Sequence, residues 1–203
     1  MSESEGLVIL PAAVQIVLAD ANVLYSRVLR DYLLYAAEQE IVNVNWSQEI
    51  LDEVTSHLVG NIPGFTDESA RVLVAALTDT FPDALVEPAE ADYALLADVA
   101  LPDEDDRHVI AAALAADAQV VCTSNVKHFP LAVMAGLGLV AMTPDELFTQ
   151  LAYSHLPQMI AAHRAAIANF ARATDESTIT ALRRAGAPKT ADLMAGALGL
   201  GDI

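Results

Sequence analysis

Four side chains with oxygen atoms lie near the end of an apolar run or within a segment that has a helical pattern. Asp20 follows the β-branched run 14–19, and Asn125 comes shortly after a second apolar run. Glu53 lies within a pattern typical of a helix, and Asp106 opens another one. Carboxylate and amide oxygens are ligands for hard divalent cations. If these four side chains converge in space, they form a metal site.

The alternation of apolar runs and helical patterns predicts an α/β protein. Predicted strands cover residues 14–19, 41–45, 119–123 and 137–141. Predicted helices cover residues 22–38, 47–59, 67–80, 89–100, 106–117 and 144–152. Strands separated by helices predict a mainly parallel sheet. Ligands bind such sheets at the carboxyl ends of the strands, which is where Asp20 and Asn125 are expected.

Length and composition predict one well-formed core with a helical appendage. The chain has 203 residues, of which 54% are hydrophobic and 19% are charged. We expect one α/β domain at residues 12–152 and a C-terminal α-helical extension at residues 153–203. Within the extension, helical spacing at 156–174 and 177–185 predicts two or three helices.

The net charge of −18 counts against a nucleic-acid function, because phosphate backbones are bound by cationic side chains. The charge is unevenly distributed: residues 154–203 hold 4 acids and 5 Lys or Arg, against 24 and 5 in residues 1–153. The cationic residues of the extension are Arg164, Arg172, Arg183, Arg184 and Lys189. They either lie on solvated helix faces or contribute to binding of a nucleic acid. Bound divalent cations would offset part of the acidic charge.

The single cysteine and the short apolar segments favour a cytoplasmic location. Cys122 lies in an apolar strand pattern, which favours a small buried side chain in a reducing environment over a disulfide framework. Residues 1–6 carry two acids and no basic residue, unlike a secretory signal. The chain has no uninterrupted apolar stretch of the roughly 18 residues that a membrane span requires. We therefore expect a cytoplasmic protein that does not contact a membrane.

The segment 102–106 (PDEDD) places four acids in succession. Such a run is destabilising unless a cation, a helix cap or solvent accommodates it. Asp106 precedes an apolar helix face that would hold it beside the sheet, and Asp103 is the second candidate in the run. The histidines show no pair at the spacing of a zinc protease. Carboxylate-rich ligation favours Mg²⁺ or Mn²⁺.

Four motifs in this order resemble those of the PIN-domain ribonucleases, the family that includes the VapC toxins of bacterial toxin–antitoxin pairs. The segments are LADANVL at 18–24, EILDEV at 49–54, LPDEDDRHVIAAA at 101–113 and CTSNVKHFP at 122–130. Together they span most of residues 14–150. Many members of the family have an aspartate at the position of Asn125 in the fourth motif.

The resemblance implies a three-layer, PIN-like fold with a central, mainly parallel sheet flanked by helices. It implies a metal-dependent endoribonuclease, the toxin of a type II toxin–antitoxin system. The residues expected to take part in catalysis are Asp20, Glu53, Asp106 and Asn125. The expected ligands of Mg²⁺ or Mn²⁺ are Asp20, Asp106 and Asp103. The expected substrate-binding residues are Asn22, Ser124 and Lys127.

The resemblance also implies three partners, namely an RNA substrate, a cognate antitoxin protein and a second copy of the chain in a homodimer. Two alternatives stay open from the residues. A PIN-like binding module with impaired catalysis is favoured by Asn125 and by the acidic surface. A phosphoacceptor receiver domain would share Asp20, Thr123 and Lys127, but the predicted strand at 41–45 supplies no acceptor aspartate.

Overall fold

A five-stranded, all-parallel sheet forms the centre of the protein. A computed structural model describes residues 15–170 and 172–201. The strands are β1 (Gln15–Ala19), β2 (Val42–Ser47), β3 (Leu85–Val86), β4 (Val120–Cys122) and β5 (Val140–Met142). Residues 12–14, which include the predicted first residue of β1, lie outside the described residues. The predicted α/β class and parallel sheet are confirmed, and β3 is an additional short strand.

The strand order is β3-β2-β1-β4-β5. The chain therefore runs from β1 toward one edge through β2 and β3, and later from β4 to β5 on the other side. This reversal of direction creates a crevice between the carboxyl ends of β1 and β4, where ligands bind in open α/β sheets. In the doubly wound fold of receiver domains β3 lies beside β1, whereas here β4 holds that position. The position of the short strand β3 beside β2 thus distinguishes this sheet from that of a receiver domain.

Helices cover both faces of the sheet and build the C-terminal part of the chain. In the first half they are α1 (Ala21–Tyr25), α2 (Arg27–Glu38), α3 (Gln48–Asn61), α4 (Asp67–Thr80) and α5 (Glu90–Ala94). In the second half they are α6 (Arg107–Ala115), α7 (Leu131–Gly136), α8 (Pro144–Ser154), α9 (Leu156–Ala168), α10 (Asp175–Arg184) and α11 (Pro188–Ala197). Among the described residues, none of these helices is long and apolar enough to cross a lipid bilayer.

Two predicted helices differ from the structure at points where an arginine side chain binds backbone carbonyls. The helix predicted at 22–38 is two helices, because Ser26 has an extended backbone with ψ of 109°. The guanidinium of Arg30 donates to the carbonyl of Leu24 at 2.8 Å, which satisfies the end of α1. The helix predicted at 89–100 ends at Ala94, and Arg107 donates to backbone carbonyls beyond that end. Long side chains therefore replace helical hydrogen bonds at these two points.

The last predicted strand also differs from the structure. Residues 131–136 form α7, and β5 starts at Val140 rather than at residue 137. The turn between them depends on Gly138, whose φ of 75° few other residues adopt readily. The pattern of small and apolar residues here is common to short helices and to strands, so periodicity alone does not separate them.

Buried apolar side chains form one continuous cluster that includes the sheet, its covering helices and the C-terminal helices. Trp46, Tyr32 and Phe148 are its largest fully buried side chains. Cys122 is buried on β4, as its sequence pattern predicts, and burial raises the pKa of its thiol.

Three helices, α9 to α11, follow α8 and pack back onto α2 and α8. The carboxylate of Asp145 accepts hydrogen bonds from the backbone N–H groups of Lys189 and Thr190, at 3.1 and 2.7 Å, and so caps α11 from a distant helix. His163 on α9 is fully buried between the hydroxyl of Tyr32 and the carboxylate of Asp175. The number of helices agrees with the sequence prediction.

Candidate metal centre

Asp20 lies at the carboxyl end of β1, where the chain turns directly into α1. Its backbone N–H donates to the carbonyl of Cys122 at 3.0 Å, so the end of β1 is tied to the end of β4. Its carboxylate accepts hydrogen bonds from the N–H of Ala21 at 2.6 Å and from the hydroxyl of Thr123 at 2.6 Å. The side chain is therefore both the N-cap of α1 and a fixed group in the crevice.

The electrostatic environment of Asp20 is unfavourable for a bare carboxylate. The residue is only 4% exposed, and its donors Ala21, Asn22 and Thr123 are all uncharged. Burial raises the pKa of Asp20; the hydrogen bonds from Thr123 and Ala21 lower it, and the nearby charges of Glu53 and Asp106 raise it further. A group placed in this way gains most from a bound cation.

Asn22 connects the tips of β1 and β4. Its amide nitrogen donates to the carboxylate of Asp20 and to the hydroxyl of Thr123, the latter at 3.0 Å. Its carbonyl oxygen accepts from the N–H of Ser124 at 2.8 Å. The predicted substrate-binding role of Asn22 stays a prediction, and in this structure its side chain holds the crevice in shape.

Glu53 reaches the site from α3. Ser47 caps the first turn of this helix through Ile50, and the buried face of Ile50, Leu51 and Val54 packs the helix onto the core. Glu53 is on the more exposed side, with 40% of its side chain accessible. Its carboxylate lies 3.8 Å from Nε2 of His108 on α6. Its charge raises the pKa of Asp20, so the two carboxylates lie near each other.

Asp106 lies in a short 3-10 turn, Glu104–Asp106, that leads directly into α6. Its Oδ2 is 2.7 Å from Nδ1 of His128, and Oδ2 of Asp103 is 3.7 Å from the same nitrogen. Asp103, Asp106 and His128 each offer a ligand atom, and these atoms all lie within 4.8 Å of one another. Asp106 also acts electrostatically on Asp20, so it links this group to the crevice.

The fourth predicted motif forms the loop after β4. Asn125 is exposed at the start of the 3-10 turn Val126–His128, and its N–H donates to the hydroxyl of Thr123 at 3.0 Å. Ser124 and Lys127 are also exposed. The catalytic role predicted for Asn125 and the substrate-binding roles predicted for Ser124 and Lys127 stay predictions, and all three residues are accessible to a ligand.

An open cleft of about 600 Å³ continues from Glu53 between α3, α5 and the start of α6. Acidic side chains dominate its walls, among them Glu49, Glu104 and Asp105. Arg107 also lines it, but this guanidinium is already bound to Glu104 and to the carbonyl of Val99. The cleft therefore presents negative charge next to the crevice.

The donor set fits a divalent cation. It combines a buried carboxylate, two further acids in electrostatic reach of it and a histidine nitrogen beside one of those acids. Several carboxylates held together are costly without a counter-charge. Oxygen-rich sets of this kind suit Mg²⁺ and Mn²⁺.

Three residues of this region were not predicted from the sequence, namely Thr123, His108 and His128. Thr123 could have been found, because it ends the apolar run of β4 directly beside Ser124. The two histidines give no local signal, because His128 meets Asp106 across 22 residues of chain and His108 meets Glu53 across two helices. Their roles depend on the packing of α3, α6 and the loop after β4.

Comparisons with known proteins agree with this architecture. A family model described as "PIN domain" matches residues 16–127, which is more than half of the chain. No curated protein and no solved structure matches the chain significantly. The matched region contains Asp20, Glu53, Asp106 and Asn125. With its parallel sheet and its acidic crevice at the carboxyl ends of β1 and β4, the chain belongs to the PIN domain family.

Proposed function

We propose that the protein is a metal-dependent endoribonuclease that hydrolyses phosphodiester bonds of RNA. The observation that carries the proposal is the buried carboxylate of Asp20 at the crevice between β1 and β4, whose pKa the nearby charges of Glu53 and Asp106 raise further. Members of the PIN domain family are generally metal-dependent nucleases. The proposal extends that general property to this chain and to an RNA substrate.

Asp20 and Asp106, with Asp103 beside them, would hold Mg²⁺ or Mn²⁺. When bound, the ion supplies a counter-charge for the phosphate and lowers the pKa of a bound water. Asn22 and Thr123 keep the carboxylate of Asp20 in one orientation through hydrogen bonds. Glu53 is accessible to solvent and can accept a proton from the attacking water.

The charge of the protein restricts how RNA approaches. A net charge of −18 repels a polyanion over most of the surface. Lys127 is an exposed cation in the loop after β4, and Ser124 offers a hydroxyl in the same loop. We propose that these two side chains contact the substrate near the scissile phosphate, where cation binding has reduced the repulsion.

We also propose that the protein is the toxin of a type II toxin–antitoxin system, inhibited by a basic segment of an antitoxin and active as a homodimer. The support is the resemblance of the four motifs to VapC toxins and the acidic cleft beside Glu53, which is complementary to a basic segment. Induced expression should arrest growth, and Asp20→Asn should relieve the arrest at equal protein level. Growth arrest by both forms would contradict the toxin proposal.

The nuclease proposal is tested by cleavage of a labelled RNA by the purified chain with Mg²⁺ or Mn²⁺. EDTA should stop cleavage, and excess metal should restore it. The products should lack a cyclic phosphate, because water rather than the neighbouring 2′-hydroxyl attacks phosphorus. A contaminating metal-independent ribonuclease would resist EDTA and leave cyclic ends.

A matched pair of variants separates catalysis from folding. Glu53→Gln should lose cleavage, whereas Asp79→Asn, an exposed acid on α4, should retain it. Circular dichroism of both variants checks that they are folded. If the folded wild-type chain cleaves none of a panel of RNAs in either metal, the binding-module alternative replaces the nuclease.

A further inference from the structure

We propose that Asp103, Asp106 and His128 form a mixed nitrogen and oxygen site that binds Mn²⁺ in preference to Mg²⁺. The inference rests on the proposed function, because the nuclease proposal is the reason to expect a cation as cofactor. It adds His128 to the metal centre as a ligand.

The ligand atoms are already close to the spacing that one ion requires. Nδ1 of His128 is hydrogen-bonded to Oδ2 of Asp106 at 2.7 Å and lies 3.7 Å from Oδ2 of Asp103. Adjacent ligands of a six-coordinate ion with bonds of about 2.1 Å lie about 3 Å apart. An ion bound here would take the place of the proton between His128 and Asp106.

The backbone holds each of the three residues on a defined turn. Oδ1 of Asp103 accepts from the N–H of Asp105 at 3.1 Å, which leaves Oδ2 directed at His128. Asp106 is the last residue of its turn and is followed at once by α6. The N–H of His128 donates to the carbonyl of Asn125 at 2.8 Å, and the next residue, Phe129, is buried in the core. The three residues thus lie on hydrogen-bonded turns.

The exposure of the three side chains suits an ion that enters from solvent. Asp106 and His128 are 18% and 22% exposed, and Asp103 is 45% exposed. The two inner ligands are shielded enough for strong electrostatic attraction, and the outer one leaves a path for the ion and for water ligands. Asp106 also raises the pKa of Asp20, so an ion bound here would lie near the crevice between β1 and β4.

The imidazole nitrogen determines which ion the site prefers. Mg²⁺ takes oxygen ligands and loses its water reluctantly. First-row transition ions accept imidazole nitrogen readily, so replacing one carboxylate by histidine favours them over Mg²⁺. Of the two ions expected from the carboxylates, Mn²⁺ is therefore the better match.

The test is calorimetric titration of the full chain with Mn²⁺ and with Mg²⁺, without RNA. The wild type should bind Mn²⁺ at least about tenfold more tightly than Mg²⁺, and His128→Asn should lose most of that difference. His57→Asn replaces an exposed histidine on α3 and should leave the preference unchanged. Equal affinity for both ions in the wild type, an unchanged preference in His128→Asn, or no binding of Mn²⁺ would overturn the inference.

A second variant keeps the test decisive if His128→Asn does not fold. His128→Asp gives an all-oxygen set, so it should bind Mg²⁺ with at least the wild-type affinity and show a smaller preference for Mn²⁺ than the wild type. A wild-type preference for Mn²⁺ that survives in His128→Asp would equally contradict the role of the imidazole. The RNA-cleavage assay tests the nuclease proposal separately. If the chain prefers Mn²⁺ but does not cleave RNA, only the nuclease proposal is contradicted.

Discussion

Asp20 combines a structural and a chemical role whose energetic requirements oppose each other. As the N-cap of α1 it stabilises the helix, a contribution typically worth about 1 kcal/mol. As a buried carboxylate near Glu53 and Asp106 it is costly to ionise. Bound cation removes that cost. The folded protein is therefore expected to be least stable when Asp20 is ionised and no metal is bound.

This conflict predicts that Asp20→Asn stabilises the metal-free protein. The pKa of Asp20 is raised above its ordinary 3.8, chiefly by burial. The stability that the protonated form provides is present below pH 3.8 and is lost as pH rises through the higher pKa of the folded state. In EDTA at pH 7, thermal unfolding of Asp20→Asn should therefore occur at a higher temperature than that of the wild type.

The difference should shrink as pH falls toward 3.8, and added Mn²⁺ should raise the melting temperature of the wild type more than that of the variant. Asp79→Asn removes an exposed acid and should change stability little. A lower melting temperature for Asp20→Asn than for wild type in EDTA at pH 7 would show that capping outweighs repulsion.

At the scale of single residues, the end of an apolar run correctly predicts that Asp20 and Asn125 lie just after β1 and β4, whereas their roles stay predictions. The roles of Asp103 and Asp106, inferred from a run of acids that needs compensation, stay predictions as well. His128 was missed because its contact with Asp106 depends on the 3-10 turn that starts at Asn125. A local pattern carries no information on such a long-range pair.

At the scale of elements, apolar periodicity predicts where a helix lies better than where it ends. The predicted bounds of α4 are correct, and Thr66 caps its first turn. The helix predicted at 22–38 is divided at Ser26, where Arg30 binds a carbonyl that a continuous helix would have used. The helix predicted at 89–100 is too long, because it ends at Ala94 and Arg107 binds a carbonyl beyond that end. The hydrogen bonds of both arginines bridge turns that apolar periodicity does not predict.

Asp145 is expected to be the main polar link between α8 and α11. Its buried carboxylate accepts from the N–H groups of Lys189 and Thr190 and from the hydroxyl of Thr190. Asp145→Ala removes these acceptors and leaves the donors of Thr190 buried. The free energy of unfolding, measured in urea, should fall by about 2 to 4 kcal/mol.

Asp192→Ala on α11 is the matched control for Asp145→Ala. Asp192 pairs with Arg183 at 2.8 Å, but 69% of its side chain is exposed. Exposed pairs contribute roughly 0 to 1 kcal/mol, so this variant should unfold close to the wild type. Equal destabilisation by the two variants would contradict the capping role of Asp145.

At the scale of the whole molecule, the C-terminal helices share the core of the sheet. Met159, Ile179, Leu182 and Met194 are fully buried and belong to the same cluster as the strands. The division of the chain at residue 152 stays a prediction, based on the change of composition and charge. The change of composition does not predict that these helices share the core of the sheet. Alanine-rich helices have similar apolar patterns whether they pack on a sheet domain or only on each other.

A chain that ends at Ser154 should therefore fail to form a stable native fold. It would expose Tyr32 and Phe148, which α9 and its neighbours help to bury. Poor dispersion of amide signals in the NMR spectrum and binding of a hydrophobic dye are the expected results. A soluble truncated chain with a well-dispersed spectrum would show that the extension is an independent appendage.

The most direct measurement of the central claim compares RNA cleavage by the wild type and by Asp20→Asn, with each chain shown to be folded and supplied with saturating Mn²⁺. Loss of a metal ligand should lower the rate by at least about a hundredfold, the upper end of the effect of removing an outer-shell partner. Asp79→Asn should cleave at the wild-type rate. Cleavage by Asp20→Asn at the wild-type rate would contradict the assignment of the crevice between β1 and β4 as the nuclease centre.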